Sequence, residues 1–268
     1  MKRWALLKIM VCGKGGSGKS ALTVLSARVL SESHEVYVID SDESNTLLPR
    51  MLGVDAPVPL VAYLGGKRKI FERGEVDLVK ALAKAGRGIR FADLPRDYVS
   101  SSLEGIKLAT IGKVREFGEG CACPLNFLAK TVLNNLLLGS DEVVLVDTDA
   151  GIEHLGRGVE EGCDAVLAVA DPTAESLELA KILRQEAIKL DKRFWLVVNK
   201  VTPAITDVIE VKTRGLGLDT VGLIRFDEEV FRTCLVGEAL RAKEALIDIK
   251  SVLKKVGLIK PSSSNRSG

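Results

Sequence analysis

The sequence predicts an α/β fold, a doubly wound, mostly parallel sheet with helices on both faces. Short, unbroken runs of β-branched and other apolar residues alternate along the chain with longer amphipathic stretches. Unbroken apolar strands separated by helices are typical of parallel sheets that are covered on both sides. The polar motifs follow directly after the apolar runs. Because ligands of such sheets bind beyond the carboxyl ends of the strands, these motifs are expected to share one edge.

The alternation assigns seven strands and four longer helices. The strands are predicted over residues 6–12, 35–39, 106–111, 142–146, 165–170, 194–198 and 220–223. The helices are predicted over 19–31, 124–138, 174–190 and 236–256. The less regular stretch 60–103 is predicted to be an insertion of short helices and loops over the same edge. Residues 1–260 are predicted to form a single domain, and the polar residues 261–268 a disordered tail.

Composition excludes several classes of protein. With 268 residues, 46% apolar and 28% charged, the chain is expected to be globular. A net charge of +2 does not indicate a nucleic-acid partner. No apolar run reaches the roughly 18 residues of a membrane span, and the start resembles a secretory signal only superficially because Lys8 interrupts it. We therefore expect a cytoplasmic protein without nucleic-acid or membrane partners, whose five cysteines are free, catalytic or metal-bound.

The segment "CGKGGSGKS" lies between the first predicted strand and the first predicted helix and fits G-x-x-x-x-G-K-[ST]. Its glycines allow backbone N–H groups to face a phosphate at the positive end of a helix. Lys19 can reach the β- and γ-phosphates, and Ser20 can bind Mg²⁺. The alternative, a glycine-rich turn that binds nothing, is disfavoured by this strand–loop–helix context. The predicted phosphate-binding residues are Gly13, Lys14, Gly15, Gly16, Ser17, Gly18, Lys19, Ser20 and Ala21.

A second lysine, Lys14, gives the loop the form K-G-G-x-G-K-[ST], which resembles the deviant Walker A loop of the MinD/ParA/nitrogenase iron protein class of ATPases. The resemblance implies a SIMIBI-like P-loop NTPase fold, ATP or ADP with Mg²⁺ as cofactors, and a homodimer that encloses nucleotide between its subunits. In that class the early lysine reaches the partner's nucleotide, which gives Lys14 a catalytic role. The simpler interpretation of Lys14 is a solvated surface lysine.

Three aspartates follow predicted strands. "VYVIDSDE" carries Asp40 and Asp42, and "EVVLVDTDAGIEH" carries Asp147. The resemblance implies that Asp42 orients or activates the attacking water and that Asp147 holds Mg²⁺ through water, while residues 149–154, which end in His154, form a second switch. Phosphoryl transfer depends mainly on such positioning. The alternative for the first pair is helix capping. The predicted catalytic residues are thus Lys14, Lys19 and Asp42, and the predicted Mg²⁺ residues are Ser20, Asp40 and Asp147.

The adenine site is predicted from two further segments. "FWLVVNK" places Asn199 and Lys200 at the end of a strand, where the resemblance implies that the asparagine binds the adenine edge. The alternative for Asn199 is a simple turn residue. The loop "GLIRFDEE" is expected to pack on the other side of the base through Ile224, Arg225, Phe226 and Asp227.

The pair "CAC" stands between glycines and a proline. In an extended segment Cys121 and Cys123 point to the same side, and they are not expected to close an unstrained bridge with each other. Pro124 suits the first turn of a helix, whose N-terminus favours thiolate. Two thiolates supply half of a tetrahedral site, and a twofold axis would supply the rest. Two buried small residues are the alternative. The single cysteines Cys12, Cys163 and Cys234 are predicted to be buried.

"GKVREFGEGCACPLN", followed by "LVDTDAGIEHLGRG", closely resembles the CooC-type accessory ATPases, which assist nickel insertion into carbon monoxide dehydrogenase. The resemblance runs from the phosphate loop to about Val236, although Ser17 stands where many relatives have valine. It implies an ATP-hydrolysing metallochaperone that binds Ni²⁺ or Zn²⁺ between protomers through Cys121 and Cys123, with carbon monoxide dehydrogenase or a related nickel enzyme as its client.

Three alternatives stay open. A MinD/ParA-like switch ATPase for spatial positioning would need a basic amphipathic C-terminal helix or a basic face, and neither is evident in the sequence. An Fe–S carrier or reductase ATPase would want a cysteine in "DTDAGIEH" or a C-x-x-C in the C-terminal half, and neither occurs. A zinc dimer without turnover needs only the two thiolates of each chain.

Overall fold

A computed structural model of the chain describes residues 7–83, 88–114, 123–150 and 158–260. In this part of the chain eight strands form one sheet in the order β3-β4-β2-β5-β1-β6-β7-β8, and only the pairing of β3 with β4 is antiparallel. This confirms the predicted sheet. The strands are β1 (Leu7–Cys12), β2 (Glu35–Asp40), β3 (Ser100–Ser101), β4 (Lys107–Thr110), β5 (Glu142–Asp147), β6 (Ala165–Ala170), β7 (Arg193–Val201) and β8 (Thr220–Arg225).

The described residues form nine α-helices, and apolar layers cover both faces of the sheet. In β1, Ile9 and Val11 pack on one layer while Met10 and Cys12 pack on the other, so the part of the strand after Lys8 is apolar on both faces. The helices are α1 (Lys19–Ser31), α2 (Leu48–Leu52), α3 (Leu60–Tyr63), α4 (Lys67–Leu82), α5 (Cys123–Asn135), α6 (Ala174–Lys189), α7 (Thr206–Gly215), α8 (Glu228–Val236) and α9 (Glu244–Lys255). None of them is long and apolar enough to cross a membrane.

The predicted helix over 236–256 is confirmed in its second half, by α9, and wrong in its first half. Its first part is a bend, because α8 ends at Val236 and Gly237 follows in the left-handed region with φ 70°. Left-handed glycine is a common helix stop. The chain then turns, and α9 begins where the Asp227 carboxylate accepts hydrogen bonds from the backbone N–H groups of Lys243 and Ala245. The predicted range therefore contains a bend followed by the single helix α9, while α8 ends where the range begins.

The region 60–103 contains short helices and turns, as predicted. It comprises α3, α4, two 3₁₀ turns (Phe91–Asp93 and Arg96–Tyr98) and the edge strand β3, which was not predicted. Gly74 interrupts the helical geometry of α4 with φ 69° and ψ 172°. Because α4 packs against α5, the insertion supports the helix that carries Cys123.

Candidate nucleotide and metal sites

The phosphate loop joins β1 to α1 with a backbone that requires glycine. Gly13, Gly16 and Gly18 all have positive φ values, of 147°, 78° and 101°. A Cβ atom on Gly13 would lie 2.1 Å from the carbonyl oxygen of Val169, and one on Gly18 would lie 2.3 Å from Asn199 Nδ2. A side chain at either position would therefore force the loop away from the strands behind it. These glycines allow the loop to lie directly against Val169 and Asn199. The N-terminus of α1 faces a cleft of about 360 Å³.

The two lysines of the loop have different surroundings. Lys19 is 7% exposed, and its ammonium donates to the backbone oxygen of Lys14 at 3.3 Å, folded over the loop. The Lys14 ammonium instead lies 2.5 Å from Glu175 Oε2, in the first turn of α6 of the same chain. That hydrogen bond raises the pKa of Lys14. Lys14 is thus held by an exposed ion pair within its own chain.

Three carboxylates lie beside the loop at the ends of neighbouring strands. Asp40 ends β2 and is paired in register with Asp147, which ends β5, and both are fully buried. Burial raises the pKa of Asp147 to about 7, against the hydrogen bond that Ser20 Oγ donates to its Oδ2 at 2.7 Å. Burial likewise raises the pKa of Asp40 to about 6, against the charge of Lys113. This cluster concentrates negative charge next to the cleft.

The donor set fits Mg²⁺, the ion that the nucleotide chemistry implies. Asp40 Oδ1 is buried and has no hydrogen-bond partner among the described residues, and Oδ2 has only the ion pair with Lys113 Nζ at 2.7 Å, which lies outside hydrogen-bond geometry. No group of three or more His, Cys, Asp or Glu side chains in the described ranges has the geometry of a metal site. Mg²⁺ usually takes one or two carboxylates and completes its shell with water and phosphate oxygens, so Ser20, Asp40 and Asp147 are sufficient.

Asp42 differs from its neighbours because it is rich in hydrogen bonds. Its Oδ1 accepts from the backbone N–H of Ser44 at 2.8 Å, the hydroxyl of Ser44 at 2.7 Å and the backbone N–H of Asn45 at 3.0 Å. Burial raises the pKa of Asp42, but these donors outweigh it and the net shift is downward. Asp42 is therefore a fixed, ionised carboxylate, better suited to orienting a water molecule than to removing its proton.

A second cavity of about 150 Å³ adjoins the cleft and includes most of the predicted adenine residues. Asn199 Nδ2 donates to the backbone oxygen of Ser17 at 2.9 Å, and Lys200 Nζ donates to that of Gly16 at 2.7 Å. These two residues thus brace the phosphate loop, and Asn199 Oδ1 is the atom that could accept from an adenine amino group. Phe226 is 42% exposed and offers an aromatic face to this cavity.

The other residues predicted around the base have structural partners. Ile224 is fully buried in the core, so the expected contact of its side chain with a base is not available. The guanidinium of Arg225 forms ion pairs with Glu244 and Asp248. The carboxylate of Asp227 accepts from four backbone N–H groups of α8 and the start of α9, which belong to Glu229, Val230, Lys243 and Ala245.

The structure adds residues that the motifs did not indicate. Asn45 Nδ2 donates to Ser20 Oγ at 2.9 Å, and Lys113, whose side chain is 8% exposed, forms the ion pair with Asp40. Lys113 lies two residues after the predicted strand 106–111, and this position is the feature of the sequence that could have indicated a site residue. Glu175 had no such signal because it is 161 residues from Lys14 in the chain. Cys234, predicted to be buried, is exposed and lines the cleft.

The cysteine pair is described only in part. Cys121 and the second-switch residue His154 lie outside the described residues. Cys123 is the first residue of α5, is exposed and is disulfide-bonded, whereas Cys12, Cys163 and Cys234 are free. The disulfide differs from the expectation that the cysteines are free, catalytic or metal-bound. Reduction is therefore required before Cys123 can bind a metal ion.

Comparison with known proteins identifies the family. Residues 8–240 match the CobQ/CobB/MinD/ParA nucleotide binding domain. The chain is 42% identical to an uncharacterized ATP-binding protein of Methanocaldococcus jannaschii over 92% of this chain and 98% of that protein. It is 33% identical to the carbon monoxide dehydrogenase accessory protein CooC of Rhodospirillum rubrum over 84% of this chain and 85% of that protein.

Among solved structures, the septum site-determining protein MinD of Pyrococcus horikoshii in complex with Mg-ADP superposes with a TM-score of 0.67 at 14% identity, over 95% of this chain and 99% of that chain. At this identity the superposition shows a shared fold. The family match and the two relatives, together with the phosphate loop and its carboxylates, lead to one conclusion. The chain belongs to the CobQ/CobB/MinD/ParA nucleotide-binding family and is an ATPase of the MinD/ParA class.

Proposed function

We propose that the chain is a nucleotide-driven metallochaperone, which dimerises around ATP and a cysteine-bound metal ion and assists nickel insertion into carbon monoxide dehydrogenase or a related nickel enzyme. The observation that carries the proposal is the C-x-C pair of the sequence, whose Cys123 begins α5, in a chain 33% identical to a CooC accessory protein. The cargo is Ni²⁺, and Zn²⁺ is the competing ion for a thiolate site.

In this proposal the cleft binds ATP with Mg²⁺. The loop glycines, Ser17 and Ala21 surround the phosphates, and Lys19 leaves the Lys14 carbonyl to reach them. The fit of the donor set supports Ser20, Asp40 and Asp147 as the residues that hold Mg²⁺ directly or through water. Asn199, Lys200 and Phe226 lie where a base would extend from the phosphates, since the cavity that they line shares Gly18 with the cleft.

Two catalytic roles follow. Asp42 would orient the attacking water, consistent with its lowered pKa and its three hydrogen-bond donors. Lys14 would leave Glu175 and reach the nucleotide of a second subunit. An exposed ion pair contributes little to stability, so Glu175 is only a weak competitor for that lysine.

The metal site would be completed by dimerisation. Cys121 and Cys123 of one protomer provide two thiolates, and the same pair of a second protomer provides the other two. Since Cys123 is disulfide-bonded in the structure, the proposal requires the reduced protein. Hydrolysis would then change the dimer and release the ion to the client, as in other γ-phosphate switches.

The test measures metal content and mass together. The reduced chain, a Cys121→Ser/Cys123→Ser variant and a Cys234→Ser control are incubated with Ni²⁺ or Zn²⁺, with and without ADP, and analysed by light scattering and elemental analysis. We expect one metal ion per two chains in the wild type and the control. The double variant should bind none, because half of each thiolate site is lost.

The same measurements, extended to an arm with ATP and to phosphate release, separate the alternatives. Dimers that form with ATP alone and hold no metal in any variant would favour a positioning switch of the MinD/ParA kind. Iron and sulfide in the protein as isolated, lost with the two cysteines, would favour an Fe–S carrier. Zinc that stays bound irrespective of nucleotide, in a protein without ATP turnover, would favour a structural zinc dimer.

A further inference from the structure

Lys113 connects two parts of the molecule that the proposed function treats separately. Its ammonium is buried among acceptors of the segment after β2, where it pairs with Asp40 Oδ2 at 2.7 Å and donates to the backbone oxygens of Asp42 and Asn45. These acceptors belong to the segment that contains the predicted Mg²⁺ and water-orienting aspartates. Lys113 itself belongs to the chain that runs from β4 towards the cysteine pair.

The backbone around Lys113 strengthens this connection. Ile111 N–H donates to Asp40 O at 3.0 Å, and Val114 N–H donates to Glu43 O at 3.0 Å. The segment after β4 therefore runs alongside the segment after β2 on both sides of Lys113. A displacement of the Asp42–Asn45 carbonyls would break these bonds or carry residues 111–114 with it.

Gly112 brings the same segment into contact with α5. A Cβ atom at Gly112 would lie 2.5 Å from Leu125 Cδ2 and 3.0 Å from Val61 Cγ1. A methyl group here would have to displace the ends of both side chains, so Gly112 packs closely against them. Leu125 is in the first turn of α5, two residues after Cys123. The neighbour of Lys113 in the chain is thus in contact with the helix that begins with Cys123.

We propose that Lys113 is a positioning residue that couples occupancy of the nucleotide site to the position of Cys123. In the nucleotide-free chain its ammonium compensates the charge of Asp40. Mg²⁺ and the γ-phosphate change the charge beside Asp40 and engage Asp42, so the acceptors of Lys113 move and the segment that packs on Leu125 moves with them. This coupling depends on the proposed function in one respect, the identity of the metal ion that the cysteine thiolates bind.

The test uses the reduced, metal-free full chain and a pulse of a maleimide reagent, with labelling of individual cysteine peptides followed by mass spectrometry. It compares no nucleotide, Mg-ADP and Mg with a non-hydrolysable ATP analogue. Cys234 lines the cleft, so its protection reports nucleotide binding directly. In the wild type we expect Cys234 to be protected by either nucleotide and the Cys123 rate to change several-fold with the analogue.

Three variants decide the result. Lys113→Met should keep the nucleotide-dependent protection of Cys234 but lose the nucleotide-dependent change in the labelling rate of Cys123. Lys113→Arg should recover much of that change in rate. Lys107→Met, at the opposite end of β4 and paired with Glu35, should behave as wild type. A Lys113→Met chain that keeps the wild-type change at Cys123 would overturn the proposal, as would a wild type that protects Cys234 without any change at Cys123.

A second route covers the case in which Lys113→Met does not fold or bind nucleotide. Gly112→Ala keeps the lysine but places a methyl group against Leu125, so it should alter the Cys123 rate without nucleotide. A rate equal to that of the wild type under all conditions would refute the coupling. Since no metal is present, failure of the metal site would leave these results unchanged.

Discussion

At the scale of single residues, the carboxylates beside the phosphate loop do not share one protonation behaviour. Asp147 is buried against Asp40 and Asp42, with Ser20 as its main hydrogen-bond donor, and its pKa rises to about 7. Asp42 accepts hydrogen bonds from Ser44 and Asn45, and its pKa falls. The raised pKa of Asp147 is consistent with a residue that is deprotonated when it binds Mg²⁺. The lowered pKa of Asp42 is consistent with a residue that stays ionised and orients water.

Asp42→Asn should lower ATP turnover by about 10²-fold, in the range by which positioned polar groups accelerate proton-coupled steps. Nucleotide affinity should change little, because the proposed role of the carboxylate is to orient water and not to hold the phosphates. Phosphate release and titration with a fluorescent ADP analogue measure the two quantities. Ser44→Ala, which removes one donor to Asp42, should give a smaller loss, and wild-type turnover in Asp42→Asn would remove Asp42 from the mechanism.

The pKa of Asp147 predicts a pH dependence of stability in the chain without nucleotide and Mg²⁺. Between pH about 4 and about 7 the folded chain retains a proton that the unfolded chain has released, so the free energy of unfolding falls as the pH rises through this window. Asp147→Asn lacks this proton. Its Tm relative to wild type should therefore increase from pH 4 to pH 7 and level off above, as measured by thermal unfolding.

Asp40 also lowers the free energy of unfolding as the pH rises to about 6. The difference in Tm between Asp147→Asn and wild type therefore serves to follow the contribution of Asp147. Each pKa unit corresponds to ~1.4 kcal/mol, enough to shift Tm by several degrees. Mg²⁺ with nucleotide should reverse the trend in the wild type, because the ion needs the deprotonated carboxylates. A Tm difference that is constant across the window would show that Asp147 titrates normally.

Glu175→Gln should favour dimer formation in the presence of Mg-ATP. The change removes the ion pair that holds Lys14 within its own chain, so the lysine is free to reach a second subunit. The dimer dissociation constant, measured by sedimentation, should fall by a modest factor. Glu178→Gln, one turn further along α6, is the matched control and should have no effect. A weaker dimer in Glu175→Gln would instead assign Glu175 to the interface.

At the scale of elements, Asp227 joins α8 to α9 beneath the predicted base cavity. Its Oδ1 caps α8, and its Oδ2 receives the backbone N–H groups at the start of α9. Asp227→Ala leaves several of these donors without a partner, at about 1–3 kcal/mol for each buried group left unsatisfied. We expect a clear loss of stability in urea unfolding and weaker nucleotide binding. Asp227→Asn keeps acceptor capacity and should lose less.

The elements also show what the sequence could and could not predict. The prediction of β6 agrees with the structure to the residue, because a strand buried on both faces is a plain apolar run. The prediction of one helix over 236–256 failed because the bend depends on an aspartate that precedes it by nine or more residues. The partners of Lys113 and Glu175 are likewise distant in the chain, so the position of Lys113 after a strand could mark the residue but not its contact with Asp40, and nothing local marks Glu175.

At the scale of the whole molecule, strand order assembles the site. The five adjacent strands β2, β5, β1, β6 and β7 end at the same edge. Asp40 and Asp147 are the last residues of β2 and β5, the phosphate loop follows β1, Asn199 lies near the end of β7, and Val169 of β6 lies under Gly13. The motifs of the phosphate site were predictable because they follow strands, whereas the contacts between them require the order of the strands. Cys123 begins α5, the helix that lies between β4 and β5 in the chain.

Release of nickel during a single turnover tests the central claim most directly. The reduced dimer is loaded with Ni²⁺ and ATP, hydrolysis is started with Mg²⁺, and transfer of nickel to a chromophoric chelator is recorded beside phosphate release. Our account predicts that the two time courses coincide in the wild type and that Asp42→Asn slows both. Nickel that leaves at the same rate in Asp42→Asn, or stays bound after the phosphate has been released, would contradict it.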